Sequence, residues 1–508
     1  MPRKKEVIIL GGGLAGLAAA VVLAEEGFQI TVVERRPFLG GRASSYPVPN
    51  SQRLNSQTNS QNRKLIPDQN DEADADPSGL GQETTNDAYI DNCQHILMKC
   101  CTNLLDFYHR LSVDHLITFF DRFTFLDQHG RLAILKGANL PAPFHLIPSF
   151  LQFHPLRWSD KLAVAYGLWC MMRERDQLQE LDRTTMLEWL RKHRQTRGAI
   201  DVFWRPVLVS ALNEQIELAS ARYGVKVFLD GFLNHPTSFH MGVPKVPLGK
   251  LYTEPCLEYL EARGGQVHLR RSAAGIEANN SKVGGILMSD GTRIVGDYYL
   301  SSVPPEALLK LLPASLVDNS GYFSRLKRFE SSPITSIYLW FDKPVTELEN
   351  CAILGHEIQW LFRRNDERRG VDQINHEYLA LVVSASRRLV PLAAKDIIRL
   401  ALDDLRAILP RSDQAKLLHS VVLKEPFATF SCRAGCDEYR LEQKTPLENF
   451  FVAGDWTKTG WPPTMEGAVR SSYRCAELIL EAEGRYRKLT QPDLPTRGLL
   501  RWMPLISC

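Results

Sequence analysis

The chain has 508 residues, 44% of them hydrophobic and 23% charged, with a formal net charge of +3. That length exceeds one ordinary hydrophobic core and predicts two or more domains, while the near-neutral charge argues against nucleic acid as a partner. Ten scattered cysteines without a C-x-x-C offer neither a zinc spacing nor a disulfide framework, so no metal is expected and a reducing, cytoplasmic setting is the simpler reading.

The N-terminal MPRKKEVIILGGG carries too short an apolar run for a signal peptide, and no 18-residue apolar run predicts a membrane span. Val7-Ile8-Ile9-Leu10 predicts a buried strand that empties into Gly11, Gly13 and Gly16, a G-x-G-x-x-G. An Ala/Leu-rich helix follows from Leu14 and Ala15 to about Glu26, and Gly27 stops it. Ile30 to Val33 predicts a second strand, closed by Glu34. Gly11 permits the tight turn, Gly13 lets a pyrophosphate approach the backbone, and Gly16 lets helix and strand pack closely. The helix N-terminus offers free N–H groups to phosphates, and Glu34 can take two ribose hydroxyls. Arg35 follows, and Gly40-Gly41-Arg42 can add N–H groups and a guanidinium to the cradle.

Residues 47–87 are rich in Asn, Gln, Ser, Asp and Pro and have no aromatic residue. Such a segment buries too little apolar surface to offset its ordering entropy, which predicts a disordered surface insertion. Asp91, Gln94 and His95 then form a polar cluster between apolar flanks. Asp91 or Asn92 can cap a helix predicted from Leu97 to Leu111, or the cluster can serve chemistry. Between Phe144 and Trp169 the chain is densely apolar and aromatic, with a helix predicted from Ser159, as N-cap, to about Arg175. This stretch is either core, or it lines a greasy tunnel or dips into a membrane surface. Helices are predicted at 184–194, 200–218, 219–233 and 247–262, making the region up to Pro236 largely helical. Strands are predicted at 266–270, 272–278, 284–288, 293–295, 297–303, 334–341, 377–384 and 419–433, and a helix at 393–408. Near the C-terminus a short apolar strand ends in Gly454-Asp455, and a loop leads to a helix from about Glu466 to Glu483. Asp455 can accept from a polyol, and the N–H groups around Met465, Glu466, Gly467 and Ala468 can support negative charge on a reduced ring.

With the glycine turn, Glu34, Gly40-Gly41-Arg42 and the AGDW…MEGA stretch in view, the chain resembles the FAD-dependent amine oxidase / phytoene desaturase superfamily. Within it, DNCQH at 91–95, CCTNLL at 100–105 and GDWTKTGWPPTMEGAVRS at 454–471 resemble the squalene-associated branch, the hydroxysqualene dehydroxylases of hopanoid-producing bacteria. Cys93 and Ser472 stand where that branch usually carries glycine. The resemblance implies an α/β fold: a discontinuous Rossmann-like FAD-binding domain (1–110, 246–315 and 440–485) and an α+β substrate domain (111–245 and 316–439), with a tail at 486–508. It implies FAD as cofactor, a long apolar isoprenoid as substrate, and reduction of hydroxysqualene to squalene with Asp91 or His95 as proton donor. A peripheral contact with the inner face of the plasma membrane is compatible with it. The rival expectations are a carotenoid or phytoene desaturase, an amine or protoporphyrinogen oxidase, and a non-catalytic FAD-binding scaffold.

Overall fold

The computed structural model describes residues 3–47, 89–279, 281–364 and 377–501. The predicted insertion over 47–87 lies outside the described residues apart from Pro47.

The fold is α/β and is organised around a five-stranded parallel sheet. Its order is Gln266–His268, Gln29–Val33, Glu6–Leu10, Tyr298–Ser301 and Phe450–Val452. Ile9 stands opposite Val32 on one side and Leu300 on the other. The central strands are continuous apolar runs because helices cover both faces of such a sheet. The helices Leu14–Glu25 and Met465–Ala482 pack together on it; Leu17, Ala18, Val21, Val469, Tyr473 and Ala476 are fully buried there. The chain returns to this sheet from residues 266, 298 and 450. Its two ends and its middle therefore meet at the carboxyl edges of the strands, where open α/β sheets hold ligands.

A seven-stranded sheet forms the second layer. It runs Leu417–Phe430, Ser331–Phe341, Glu377–Ser384, Trp360–Arg363, Asn350–Ile353, Arg122–Leu126 and Leu132–Lys136. Only the Asn350–Ile353 and Arg122–Leu126 pair is parallel. The amphipathic helix Ala394–Ile408 buries Ile397, Ala401 and Leu405 against it.

Several expected boundaries move. The helix placed from Leu97 begins only at Thr102, because Leu97–Met98 is taken up as a strand against Met241–Pro244. Ser159 is not an N-cap: the helix Trp158–Arg173 starts after Arg157, whose N–H is held by the Asp160 carboxylate at 3.1 Å. The helix expected through Leu218 ends at Leu212, where Asn213 turns left-handed. Ahead of the helical region, Arg122–Leu126 and Leu132–Lys136 join the large sheet, where alternating burial gives them one face to pack.

Candidate active site

One continuous cavity of about 1020 Å³ runs from the glycine turn into the helical region. Its walls include Gly11, Gly13, Leu14, Ala15, Glu34, Arg35, Gly40, Gly41, Arg42, Gly454, Asp455, Met465, Glu466 and Ala468. The volume stands at the top of the range for a single drug-sized ligand.

The cradle is made of backbone. Gly13 bridges Gly40, and the Gly40 N–H donates to the Gly12 carbonyl at 2.8 Å. A Cβ on Gly41 would stand 3.0 Å from the Gly13 Cα, so the two glycine segments lie face to face. The helix Leu14–Glu25 begins at Gly13 with no side-chain cap and no acidic residue in its first turn. Its leading N–H groups therefore stay available to an anion. Gly16 is not on the cavity wall. A Cβ there would meet the Gly11 carbonyl oxygen at 2.0 Å, which makes it the packing glycine of the turn. The Ser302 hydroxyl pins the turn from beneath, donating to the Gly11 carbonyl at 2.9 Å.

Glu34 is buried at the end of its strand, its carboxylate accepting from the Gly12 N–H at 2.7 Å and the Arg36 N–H at 2.8 Å. Both oxygens keep a further lone pair for hydroxyl groups. Arg42 and Asp455, expected to serve the ligand separately, are paired with each other at 2.6 Å. Arg42 also donates to the Ala428 carbonyl at 3.1 Å.

Glu466 lines the cavity, but its carboxylate is turned away to cap the helix Thr102–Arg110. It accepts from the Leu104 N–H at 2.8 Å and from Asn103 Nδ2 at 2.8 Å, and Arg470 lies 3.0 Å from it. Burial pushes its carboxyl above the usual range, against the pull of Arg470. Gly467 is off the wall; its N–H donates to the Thr464 hydroxyl that caps the helix Met465–Ala482.

Asp91 and His95 separate. Asp91 does not cap the helix expected from Leu97 and is not on the cavity wall: it ends the strand Tyr89–Asp91, accepting from the Ser45 hydroxyl at 2.7 Å and the Leu248 N–H at 3.1 Å. Burial pushes its carboxyl up, opposed by those two bonds. It fastens three segments together. His95 does line the cavity, with Nδ1 2.8 Å from the Cys93 carbonyl oxygen. That contact makes Nδ1 a donor, and burial pushes the imidazole down from its ordinary value.

Residues that the sequence did not single out hold the far end. Arg440 is fully buried and donates to the Asp455 carbonyl at 2.9 Å, the Trp461 carbonyl at 2.8 Å and the Thr457 carbonyl. One guanidinium thus shapes the whole 455–461 loop. No local pattern in the sequence marks it, because three of its partners are main-chain oxygens and a fourth, the Tyr223 hydroxyl, lies 217 positions away. Beyond the loop the wall turns apolar, with Phe123, Phe150, Phe203, Phe232, Phe239 and Trp360 on it. The aromatic stretch divides: Phe153 and Leu156 are core, while Phe144, Leu146, Ile147 and Phe150 line the cavity.

The cavity suits a dinucleotide on its own chemistry. Besides the uncapped helix, Asn92 Oδ1 and Trp461 Nε1 are buried with no hydrogen-bond partner among the described residues, and both residues line the wall. Such atoms call for a polar ligand. One buried group elsewhere, Asp182, Cys436 and Asp437, has metal-like spacing. Arg222, Tyr223 and Arg440 already meet the Asp437 charge.

Comparison with known proteins decides the family. The profile of the flavin containing amine oxidoreductases matches residues 76–480, and that of the NAD(P)-binding Rossmann-like domain matches residues 9–59. The chain belongs to the flavin containing amine oxidoreductase family. It is an FAD-dependent oxidoreductase of that family, with the matching Rossmann-like fold. A "Probable zeta-carotene desaturase" of Synechococcus elongatus is 26% identical, over 94% of this chain and 99% of that protein. The 15-cis-phytoene desaturase of the same organism is 24% identical, over 95% and 97%. Among solved structures, an oxidoreductase from Methanosarcina mazei superposes with a TM-score of 0.67 at 15% identity, covering 94% of this chain and all of that one.

Proposed function

We propose that this oxidoreductase acts on a long apolar isoprenoid and reduces hydroxysqualene to squalene. The observation that carries the reading is the continuity of the cavity, from a glycine cradle for the cofactor into a channel walled by aromatic side chains. FAD, when bound, supplies two-electron transfer at a carbon centre. In this reading the Gly11–Ala15 turn and Gly40–Gly41 hold the diphosphate, Glu34 takes the ribose and Gly454–Asp455 face the polyol. The N–H groups at Met465 and Glu466 support negative charge on the ring. The aromatic wall excludes water, which a reaction through an electron-poor carbon requires. The motifs at 91–105 and 454–471 favour the squalene-associated branch.

A second reading keeps the isoprenoid and reverses the direction, as in a carotenoid or phytoene desaturase. The relatives named as desaturases favour it. An amine oxidase fits the apolar wall less well, since an ammonium group there would lose its water. Anaerobic incubation of the dithionite-reduced protein with hydroxysqualene separates the two: the first reading requires squalene as product. A purified protein with no visible flavin absorbance sinks both.

No helix among the described residues is long and apolar enough to cross a membrane. The cavity nevertheless reaches an exposed apolar face. Phe144, Ile147 and Trp169 line the cavity and are each about 40% exposed. Trp158 and Leu162 beside them are 66% and 70% exposed. Arg173 lies over the Trp169 ring at 4.8 Å, while the buried Lys161 ammonium, over the Trp158 ring, donates to the Leu151 carbonyl at 2.7 Å. Aromatics flanked by cations suit a lipid headgroup boundary. In this proposal the face rests on a membrane surface and admits substrate from it.

A further inference from the structure

We propose that Lys226 and Asp230 form the recognition site for an oxygen function on the isoprenoid, placed where the cofactor loop meets the apolar channel. The proposal rests on the reading of this cavity as an isoprenoid site.

Lys226 lies on the helix Ala221–Phe228, and Asp230 lies in the wide turn Leu229–Leu233 that continues it. Four positions apart, they share one face. Both line the cavity, where they form an ion pair, and their side chains are 14% and 20% exposed. Their neighbours on the same wall, Val227, Phe228 and Phe232, are apolar. The second Asp230 oxygen accepts from Asn234 Nδ2 at 3.0 Å, which fixes the carboxylate. The Lys226 ammonium sits over the Trp461 ring at 4.8 Å. Trp461 is the residue whose carbonyl Arg440 holds, just ahead of the helix Met465–Ala482. The pair therefore stands beside the loop that leads into the helix whose first N–H groups are assigned above to the ring of the cofactor.

A structural role explains little of this. The bond from Lys226 to Asp230 lies within one helical turn, so that bond itself joins no separate elements, and taking the pair out of bulk water costs desolvation that an apolar pair would not incur. Among the described residues, Asp493 of the C-terminal segment lies 3.9 Å from the ammonium, within ion-pair reach but beyond hydrogen-bond distance. An ammonium has three donors, and Asp230 and the Trp461 face engage two of them. A hydroxyl matches what is left: its oxygen accepts from Lys226 and its hydrogen goes to Asp230. A pure hydrocarbon satisfies neither group. Sites built around a substrate hydroxyl discriminate strongly against analogues that lack it, because their own polar groups are then left unmet.

The test is ligand titration of the FAD-loaded protein with hydroxysqualene and with squalene, read from the visible flavin band and from tryptophan fluorescence. The wild type is expected to bind hydroxysqualene at least about tenfold more tightly than squalene. Lys226→Met and Asp230→Asn should each bring that ratio close to one by weakening hydroxysqualene alone, and Lys226→Arg should restore part of it. Should Lys226→Met fail to fold, judged by flavin content and thermal midpoint, Asp230→Asn reads out the same ratio. A wild-type ratio near one, an unchanged ratio in the variants, or equal weakening of both ligands overturns the proposal. Turnover is scored separately on the wild type. Discrimination without turnover supports this site while removing the proposed reaction, and turnover with an unchanged ratio in the variants removes this site alone.

Discussion

Arg42 Nη2 lies 2.6 Å from Asp455 Oδ1, although 413 positions separate the two residues. The contact ties the Gly-Gly-Arg turn after the second strand to the Gly-Asp turn after the last strand of the parallel sheet. Both residues line the cavity, in the half proposed to hold the cofactor. Asp455 is nearly buried, with a side chain 6% exposed, so Arg42 is its charge partner as well as its tether.

Arg42→Ala should therefore loosen the cavity at both ends. We expect a loss on the order of 2 kcal/mol in the stability of the cofactor-free protein, from the unpaired carboxylate. Flavin retained through purification should fall with it. Denaturant unfolding and flavin absorbance measure the two effects independently.

The glycine turn gives a sharper contrast. A Cβ at Gly13 meets nothing closer than 3.8 Å, whereas one at Gly16 falls 2.0 Å from the Gly11 carbonyl oxygen. Gly13→Val should fold yet retain no FAD, because its side chain fills the cradle. Gly16→Ala should damage folding itself. Circular dichroism alongside flavin content distinguishes them, and normal flavin content in Gly13→Val would contradict the assignment of the turn.

Much of the cofactor half could be read from the sequence because its signals are local. Strand, glycines, helix, strand and Glu34 are consecutive, and Gly454-Asp455 precedes its helix by a short loop. What could not be read depends on distant partners. Glu466 caps a helix 363 positions away through Asn103, and Asp91 is claimed by Ser45 and Leu248. Arg440 acts on main-chain oxygens and on the distant Tyr223 hydroxyl. Lys226 and Asp230 look in sequence like an ordinary pair on a solvated helix face, and only the fold turns that face inward. The strands Asn350–Ile353 and Trp360–Arg363 are too short for alternation to declare them.

Acid should weaken the fold through His145. The residue is fully buried, and neither ring nitrogen has a partner among the described residues. Burial, then His235 and His240, push its imidazole down to about 4. The unfolded chain takes up this proton first as the pH falls below the ordinary value near 6.5, so stability drops from there to about pH 4. The expected contribution is about 2 kcal/mol between pH 7 and pH 5. His145→Phe should remove it, the ring already packing 5.5 Å from Phe239. Urea midpoints of both proteins at the two pH values give the comparison.

The exposed apolar face predicts lipid binding. Leu162→Glu and Trp158→Glu should each reduce co-sedimentation with lipid vesicles several-fold while leaving flavin content and thermal midpoint near wild type, since both side chains already face outward. Undiminished sedimentation of the double variant would remove the membrane from the account.

The central claim is that the cavity joins an FAD site to an isoprenoid channel and that the bound isoprenoid is reduced. Its most direct test is a single-turnover experiment under anaerobic conditions, mixing the dithionite-reduced protein, freed of excess dithionite, with hydroxysqualene. Return of the visible flavin band with one squalene formed per flavin reoxidised is the predicted result. A flavin that stays reduced with no squalene formed, while the oxidised protein desaturates phytoene, would contradict it.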